Sequence, residues 1–252
     1  MELIELCHIR VTVQSIGMCG CDKESERLDC CEKALGINLK FNGKTKVKEK
    51  GKYMNEKFFD LKKEKQDRMI NAALKIFAKN GYRHASTDDM VAEAGISKGL
   101  LFHYFENKLG LYTFLYNYSV RFMVLELSGC GAGENDFFEL IKRREAAKMQ
   151  ALKKYPYMQL FIDSVRYEEV AEALCATEEK KNVLPEALES LMKGADTSRF
   201  KPEVKLQKLN RLIEYTLRGM MEDCFLENSF QPDMMYEEIN SYLLMLKKLT
   251  YQ

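Results

Sequence analysis

The chain has 252 residues, 46% of them hydrophobic and 31% charged, with a formal net charge of +1. That is enough length for a full core and one or two domains. Trp is absent and there are only four Pro, so long helices meet few breakers, and no apolar run is long enough to span a bilayer. The first ten residues, MELIELCHIR, lack the uninterrupted apolar stretch of a secretory signal, so a cytoplasmic location is expected.

Five of the eight cysteines fall in the first fifty residues: Cys7, Cys19, Cys21, Cys30 and Cys31. Their spacing departs from paired C-x-x-C zinc ligands, and no metal site is assigned. Vicinal Cys30-Cys31 is nevertheless suited to soft ions, which keeps a thiol- or metal-responsive input open as an alternative. HIRVTVQSI and INLKFNGKTKV alternate like short strands. From Leu39 to Lys65 there are ten lysines against four acids, a surplus of six. Such an arm is either a solvated linker or a source of salt-sensitive affinity for phosphates.

Ile70, Ala73, Leu74 and Phe77 recur at i, i+3, i+4 and i+7, the stripe of an amphipathic helix. Asn80-Gly81 stops it, with Gly81 in a left-handed conformation. Ser86 or Thr87 caps a second helix, with Asp88 and Asp89 in its first turn and Met90, Val91 and Ala94 buried. Gly95 turns the chain, and Ser97 caps a third helix, Lys98 to Phe105. Leu101 and Phe105 plug into the first two helices. The open face then holds Lys98, Gly99, Leu100, His103 and Tyr104. Two short helices around a Gly-containing turn are the layout of a helix-turn-helix DNA reader. Lys98 and His103 suit base edges or phosphates, Gly99 a close backbone approach, and Leu100 a thymine methyl. Thr87, Tyr104 and Lys108 complete the expected DNA contacts.

This stretch resembles the tetracycline-repressor (TetR) family of transcription regulators. The resemblance rests on Thr87, Ala94, Gly95, Ile96, Ser97, Gly99, Leu101, Phe102, Tyr104, Phe105, Lys108 and Leu111, and on Phe77, Gly81 and Tyr82 upstream. Met90-Val91 stands where the family usually has Ile-Ala. The resemblance covers residues 64 to 112. It implies an all-α protein in three parts: a Cys- and Lys-rich extension (1–53), a three-helix DNA-binding domain with the helix-turn-helix (54–108), and a helical effector-binding and dimerisation domain (109–252). Family members begin shortly before their first helix, so Met54 is expected to be the native start in a bacterial gene, with residues 1–53 a gene-calling artefact. A purine-rich ribosome-binding sequence encoded at Lys50-Gly51 fits that expectation.

From Leu109 onward apolar residues keep helical spacing: GLYTFLYNYSVRFMVLELS, DFFELIKRREAAKMQALKKY, YMQLFIDSVRYEEVAEALCATEEKK as one helix, LPEALESLMKG, and two C-terminal helices. Leu206, Leu209, Ile213, Met220 and Cys224 form one stripe. Ile239, Tyr242, Leu243, Leu246 and Leu249 form another. Two such helices per protomer fit a four-helix bundle in a homodimer, as a palindromic operator on double-stranded DNA requires. An effector pocket among the middle helices is expected to be lined by Tyr112, Tyr116, Phe122, Met158, Phe161 and Arg166, with Met123 and Tyr167 nearby.

His8, His84 and His103 are scattered, and no H-E-x-x-H, G-x-S-x-G or phosphate-cradling loop occurs. The sequence therefore points away from an enzyme and calls for no cofactor. It points to a DNA-binding transcription regulator, a ligand-responsive repressor rather than an activator. The alternatives are the thiol- or metal-responsive regulator and a helical small-molecule binder without DNA binding.

Overall fold

A computed structural model describes residues 56–252. The predicted N-terminal strands, the five cysteines there, the lysines before Lys57 and the Met54 start lie outside the described residues.

Among the described residues, ten α-helices follow a short 3-10 turn, Glu56–Asp60. The first three are α1 (Lys63–His84), α2 (Thr87–Ala94) and α3 (Lys98–Phe105). The second group comprises α4 (Lys108–Leu127), α5 (Phe137–Lys154), α6 (Met158–Ser164), α7 (Ala171–Thr177), α8 (Val183–Met192), α9 (Leu206–Leu226) and α10 (Pro232–Thr250). No strand occurs among the described residues. Two isolated bridges, Asp136 with Asp196 and Phe200 with Tyr251, join extended segments. The fold is all-α, with a helix-turn-helix followed by a helical domain.

Local chemistry explains most boundaries. Asp136 caps α5 by accepting from the Phe138 and Glu139 amides, and Asn107 caps α4 by accepting from Gly110. Pro232 opens α10 in the first turn, where its missing N–H costs nothing. Gly81, at φ 65°, breaks α1, but one further turn carries the chain to His84.

The expected single helix over 157–181 is instead four pieces: α6, a 3-10 turn at Val165–Tyr167, α7 and a second 3-10 turn at Glu178–Lys180. Glu168 makes the break. Its carboxylate accepts from the Glu169 and Val170 amides and, with its other oxygen, from the Tyr82 amide of α1. A side chain bonding its own backbone in this way competes with helix hydrogen bonds.

Helix α4 is the central post, with α5, α6, α7 and α8 packed around it and α1 at its N-terminal end. It is buried on nearly every side: Leu115, Val120, Met123 and Val124 are each at most 2% exposed. Phe77 and Tyr82 of α1 meet Tyr112 of α4 at 5.0 and 5.1 Å between ring centroids, and Phe161 of α6 closes that aromatic group. A hydrogen-bond chain runs beside it: Tyr118 to Tyr155 at 2.7 Å, and Tyr155 to Asp67 of α1 at 2.6 Å. The two groups of helices are thus tied by both apolar and polar contacts. Helix α10 lies along α5 through Met235, Ile239 and Leu243.

Candidate DNA-binding face and effector cavity

The reading head is assembled by its caps. Ser86 accepts from Asp89 N–H at 3.3 Å, and Ser97 accepts from Leu100 N–H at 3.2 Å. Between them Gly95 sits at φ 64°. Its amide bonds the Ala92 carbonyl, and the Ile96 amide bonds the Val91 carbonyl. That pair of bonds is a Schellman ending, with Ile96 lying over Val91 as its apolar seal. Met90, Ala94, Leu101 and Phe105 are buried, and Val91 is half-buried.

The 3-10 turn before α1 adds an anchor that periodicity does not reveal. Phe58 is fully buried against Tyr104, Phe105 and Phe114. Gln66 holds the turn by donating to the Phe59 and Leu61 carbonyls. The end of the lysine arm is therefore docked, not a free linker. A Phe-Phe pair among lysines offers no repeat by which the burial of Phe58 could be read.

The seven expected DNA residues are placed unequally. Lys98, Gly99 and His103 are exposed on one side of α3, and Leu100 and Thr87 are half-exposed beside them. Lys98 pairs with Asp88 at 2.8 Å across the turn, and both side chains stay largely in solvent. Tyr104 departs from the open face: it is 8% exposed, edge-on to Phe58, with His103 against its ring. At i+3 from Leu101 it shares the inward side of a short helix that is apolar on several faces. Lys108 is half-buried over the Tyr82 ring, at 4.8 Å, and donates to the Arg83 carbonyl. Burial lowers the Lys108 pKa, and Glu168 and Glu172 offset only part of this.

In the second group of helices, a cavity of about 400 Å³ opens among α4 to α9. Tyr116 and Arg166 line it, as expected. Tyr112, Phe122, Met158 and Phe161 do not: they are at most 3% exposed and packed in the core. Tyr112 and Phe161 belong to the aromatic group at α1, and Phe122 stacks on Tyr118 and meets Tyr155 edge-on. Met123 is likewise core, while Tyr167 points to solvent. A helix apolar on all faces gives no stripe from which to pick the cavity side.

The wall contains residues that sequence reasoning missed, charged ones among them. Glu145 is 2% exposed and accepts from Arg144 Nε at 2.6 Å and Lys148 Nζ at 3.0 Å. Burial opposes its charge, but Lys148 and Arg144 more than offset this and hold the carboxyl below its ordinary range. Arg144, 4% exposed, also reaches Glu214 of α9 at 2.9 Å. The spacing of Glu145 with Lys148, and of Glu214 with Arg218, looks in sequence like a solvated helix face.

Comparison with known proteins bears on the head first. Residues 69–113 match the model of the bacterial regulatory proteins, tetR family. Over 56 residues the chain is 41% identical to YuxN of Bacillus subtilis (strain 168), an uncharacterized HTH-type transcriptional regulator. That match covers 22% of this chain and 19% of YuxN, so it spans about a fifth of the curated relative. The helix-turn-helix segment, residues 69–113, is thus similar to that of the tetR family. The fold extends the likeness past the head. A TetR family transcriptional regulator from Chloroflexus aurantiacus J-10-FL superposes with a TM-score of 0.52 at 17% identity, covering 79% of this chain and 99% of that one. The fatty acid degradation regulator FadR from Bacillus halodurans superposes at 0.51 with 21% identity, covering 71% and 97%. At these identities the likeness concerns the fold. The matched residues run from α1 into the start of α4 and contain the helix-turn-helix, α2 and α3.

Among the described residues no helix is long and apolar enough to cross a membrane, and no group of three or more His, Cys, Asp or Glu is placed to hold a metal. Cys130, Cys175 and Cys224 are free thiols.

Proposed function

We propose that this protein is a TetR-family, ligand-responsive transcription repressor that binds a palindromic operator as a homodimer. The observation that carries the reading is the asymmetry of α3. Leu101 and Phe105 lock one side into the head, while Lys98, Gly99 and His103 stand exposed on the other. Such a helix is suited to a major groove. Thr87, Leu100 and Lys108 flank it as supporting contacts, and Tyr104 supports it from within. Arg83 is exposed next to Lys108 and adds a candidate phosphate contact.

Two features support the dimer and the ligand response. The exposed apolar residues Leu212 and Tyr215 of α9, with Met234, Tyr242, Met245 and Leu249 of α10, cover the outside of the two C-terminal helices. Single exposed apolar residues need no explanation, but Leu212 and Tyr215 at i, i+3, and Tyr242, Met245 and Leu249 at i, i+3, i+7, leave an apolar stripe in solvent on each helix, which favours an interaction surface. Arg166 and Leu174 line the cavity, and the segment between them carries Glu168 and Glu172, which bond the Tyr82 amide and hydroxyl. An occupant that shifts this segment also shifts the reading head. It changes operator affinity by its preference for one head spacing over the other.

A footprint of the full chain on the DNA flanking its own gene tests the reading. We expect two protected half-sites about one helical turn apart, with affinity falling steeply as salt rises. Absence of protection on that DNA at low salt overturns the proposal and leaves a small-molecule binder as the better description.

A further inference from the structure

The cavity lining holds four cations and four carboxylates, but one of its cations has no carboxylate partner, and that cation identifies a ligand class. Every carboxylate there has a cation. Glu145 has Arg144 and Lys148, Glu214 has Arg144, Asp163 has Arg166 at 3.8 Å, and Glu178 has Lys181. Among the lining cations, Lys148, Arg166 and Lys181 are thereby engaged. Arg218 of α9 lines the cavity, is half-buried, and has no ion pair among the described residues. The pairs Asp163–Arg166 and Glu178–Lys181 are neutral units. Counted with Arg144, which is buried outside the lining and pairs with Glu145 and Glu214, the group Arg144, Lys148 and Arg218 against those two carboxylates keeps one surplus positive charge. Arg144 Nη2 is in addition buried without a hydrogen-bond partner. A half-buried guanidinium has lost part of its hydration and gains most from a carboxylate that its planar fork can hold through two N–H groups. The lining also holds apolar side chains, among them Val120, Ile162, Leu174, Leu188 and Met221.

Resting on the effector-cavity reading above, we infer that the cavity takes an amphipathic monoanion, a carboxylate on an apolar body, with Arg218 as its anchor. The volume of about 400 Å³ holds roughly a dozen non-hydrogen atoms at the ~30 Å³ that a water-sized group occupies. A medium-chain carboxylate meets both requirements. An amine of the same length brings a second uncompensated positive charge into the wall. An alcohol leaves Arg218 without a counter-charge.

Titration calorimetry of the full chain with decanoate, decylamine and decanol tests this. Decanoate is expected to bind at least about tenfold more tightly than the other two, the margin of a charge-assisted hydrogen bond over a neutral one. Arg218→Met, which keeps the apolar stem, is expected to bring decanoate down to the decanol level without lowering the melting temperature. Ile162→Trp, which narrows the cavity, is expected to weaken binding of all three. Amine or alcohol binding as tightly as decanoate, or decanoate indifferent to Arg218→Met, overturns the anion assignment and leaves the cavity as an effector site. Binding of none, or binding of all three unweakened by Ile162→Trp, overturns the cavity reading itself.

Discussion

Lys98 carries the largest share of the proposed DNA contact, and it is already partnered. Its ammonium meets Asp88 at 2.8 Å, with 49% of the Lys98 side chain exposed. An exposed pair of this kind contributes about 0.2–1 kcal/mol, less than a phosphate or guanine contact offers. Lys98 is therefore free to exchange Asp88 for DNA. Lys98→Ala is expected to weaken operator binding and to lower the slope of log affinity against log salt by about 1 if its contact is a phosphate. Asp88→Asn is expected to strengthen binding by releasing Lys98 and removing a charge that faces the phosphates. Band shifts over a salt series check both, and unchanged affinity for Lys98→Ala at fixed salt excludes Lys98 from the interface. At this scale the sequence was partly legible. Lys98, Gly99 and His103 stand open because capping residues and the i, i+4 pair Leu101 and Phe105 set the rotation of α3. Tyr104 was misplaced because its partner, Phe58, lies outside any periodic pattern.

The two glycines of the head separate backbone need from surface need. Gly95 is left-handed at φ 64°, and a Cβ there meets nothing closer than Arg68 at 3.7 Å. The cost of Gly95→Ala is thus conformational, about 1–2 kcal/mol. Gly99 lies in the first turn of α3, and a methyl added there would meet nothing within 4 Å. Gly99→Ala is therefore expected to stabilise the fold by up to about 1 kcal/mol through helix propensity. The same methyl stands on the proposed groove face and is expected to lower operator affinity. Urea unfolding and band shifts on the two variants separate these effects. A Gly99→Ala protein that is more stable and binds DNA as well as its parent removes Gly99 from the contact set. Element boundaries in this region were legible because caps, glycines and short apolar repeats are local signals. The break between α6 and α7 was not, since it depends on Glu168 reaching Tyr82, 86 residues away in sequence.

Across the whole molecule, Asp136 joins distant parts of the second domain. It caps α5, and its carboxylate meets Arg199 at 2.7 Å and Lys247 of α10 at 3.1 Å. Burial opposes its charge, but the Glu139 amide, Lys247 and Arg199 outweigh it and hold the carboxyl below its ordinary range. A carboxyl lowered in the folded state stabilises fully above its unfolded value of about 3.9, and that contribution is lost as pH falls through the folded value. Asp136→Asn is expected to cost about 1–2 kcal/mol at pH 7 and to flatten the loss of stability in acid, as urea midpoints between about pH 6 and 3 will read. A second prediction concerns association. Leu212→Glu with Tyr215→Glu is expected to give a monomer by sedimentation and to weaken operator binding. A persistent dimer places the interface elsewhere.

The sequence by itself determined the helix-turn-helix, the all-α class and most helix ends, because these follow from local caps and 3.6-residue periodicity. Tertiary structure decided which apolar stripes face inward. Leu209, Ile213, Ile239 and Leu243 of the expected dimer stripes are core, while Leu212, Tyr215, Met234 and Met245 face outward. It likewise decided the cavity wall. Helix α4 is apolar all round, and the charged residues of α5 and α9 read as solvated until packing brings Arg144, Glu145 and Glu214 together. Periodicity reports that a face is buried. Only the arrangement of the other helices determines against what.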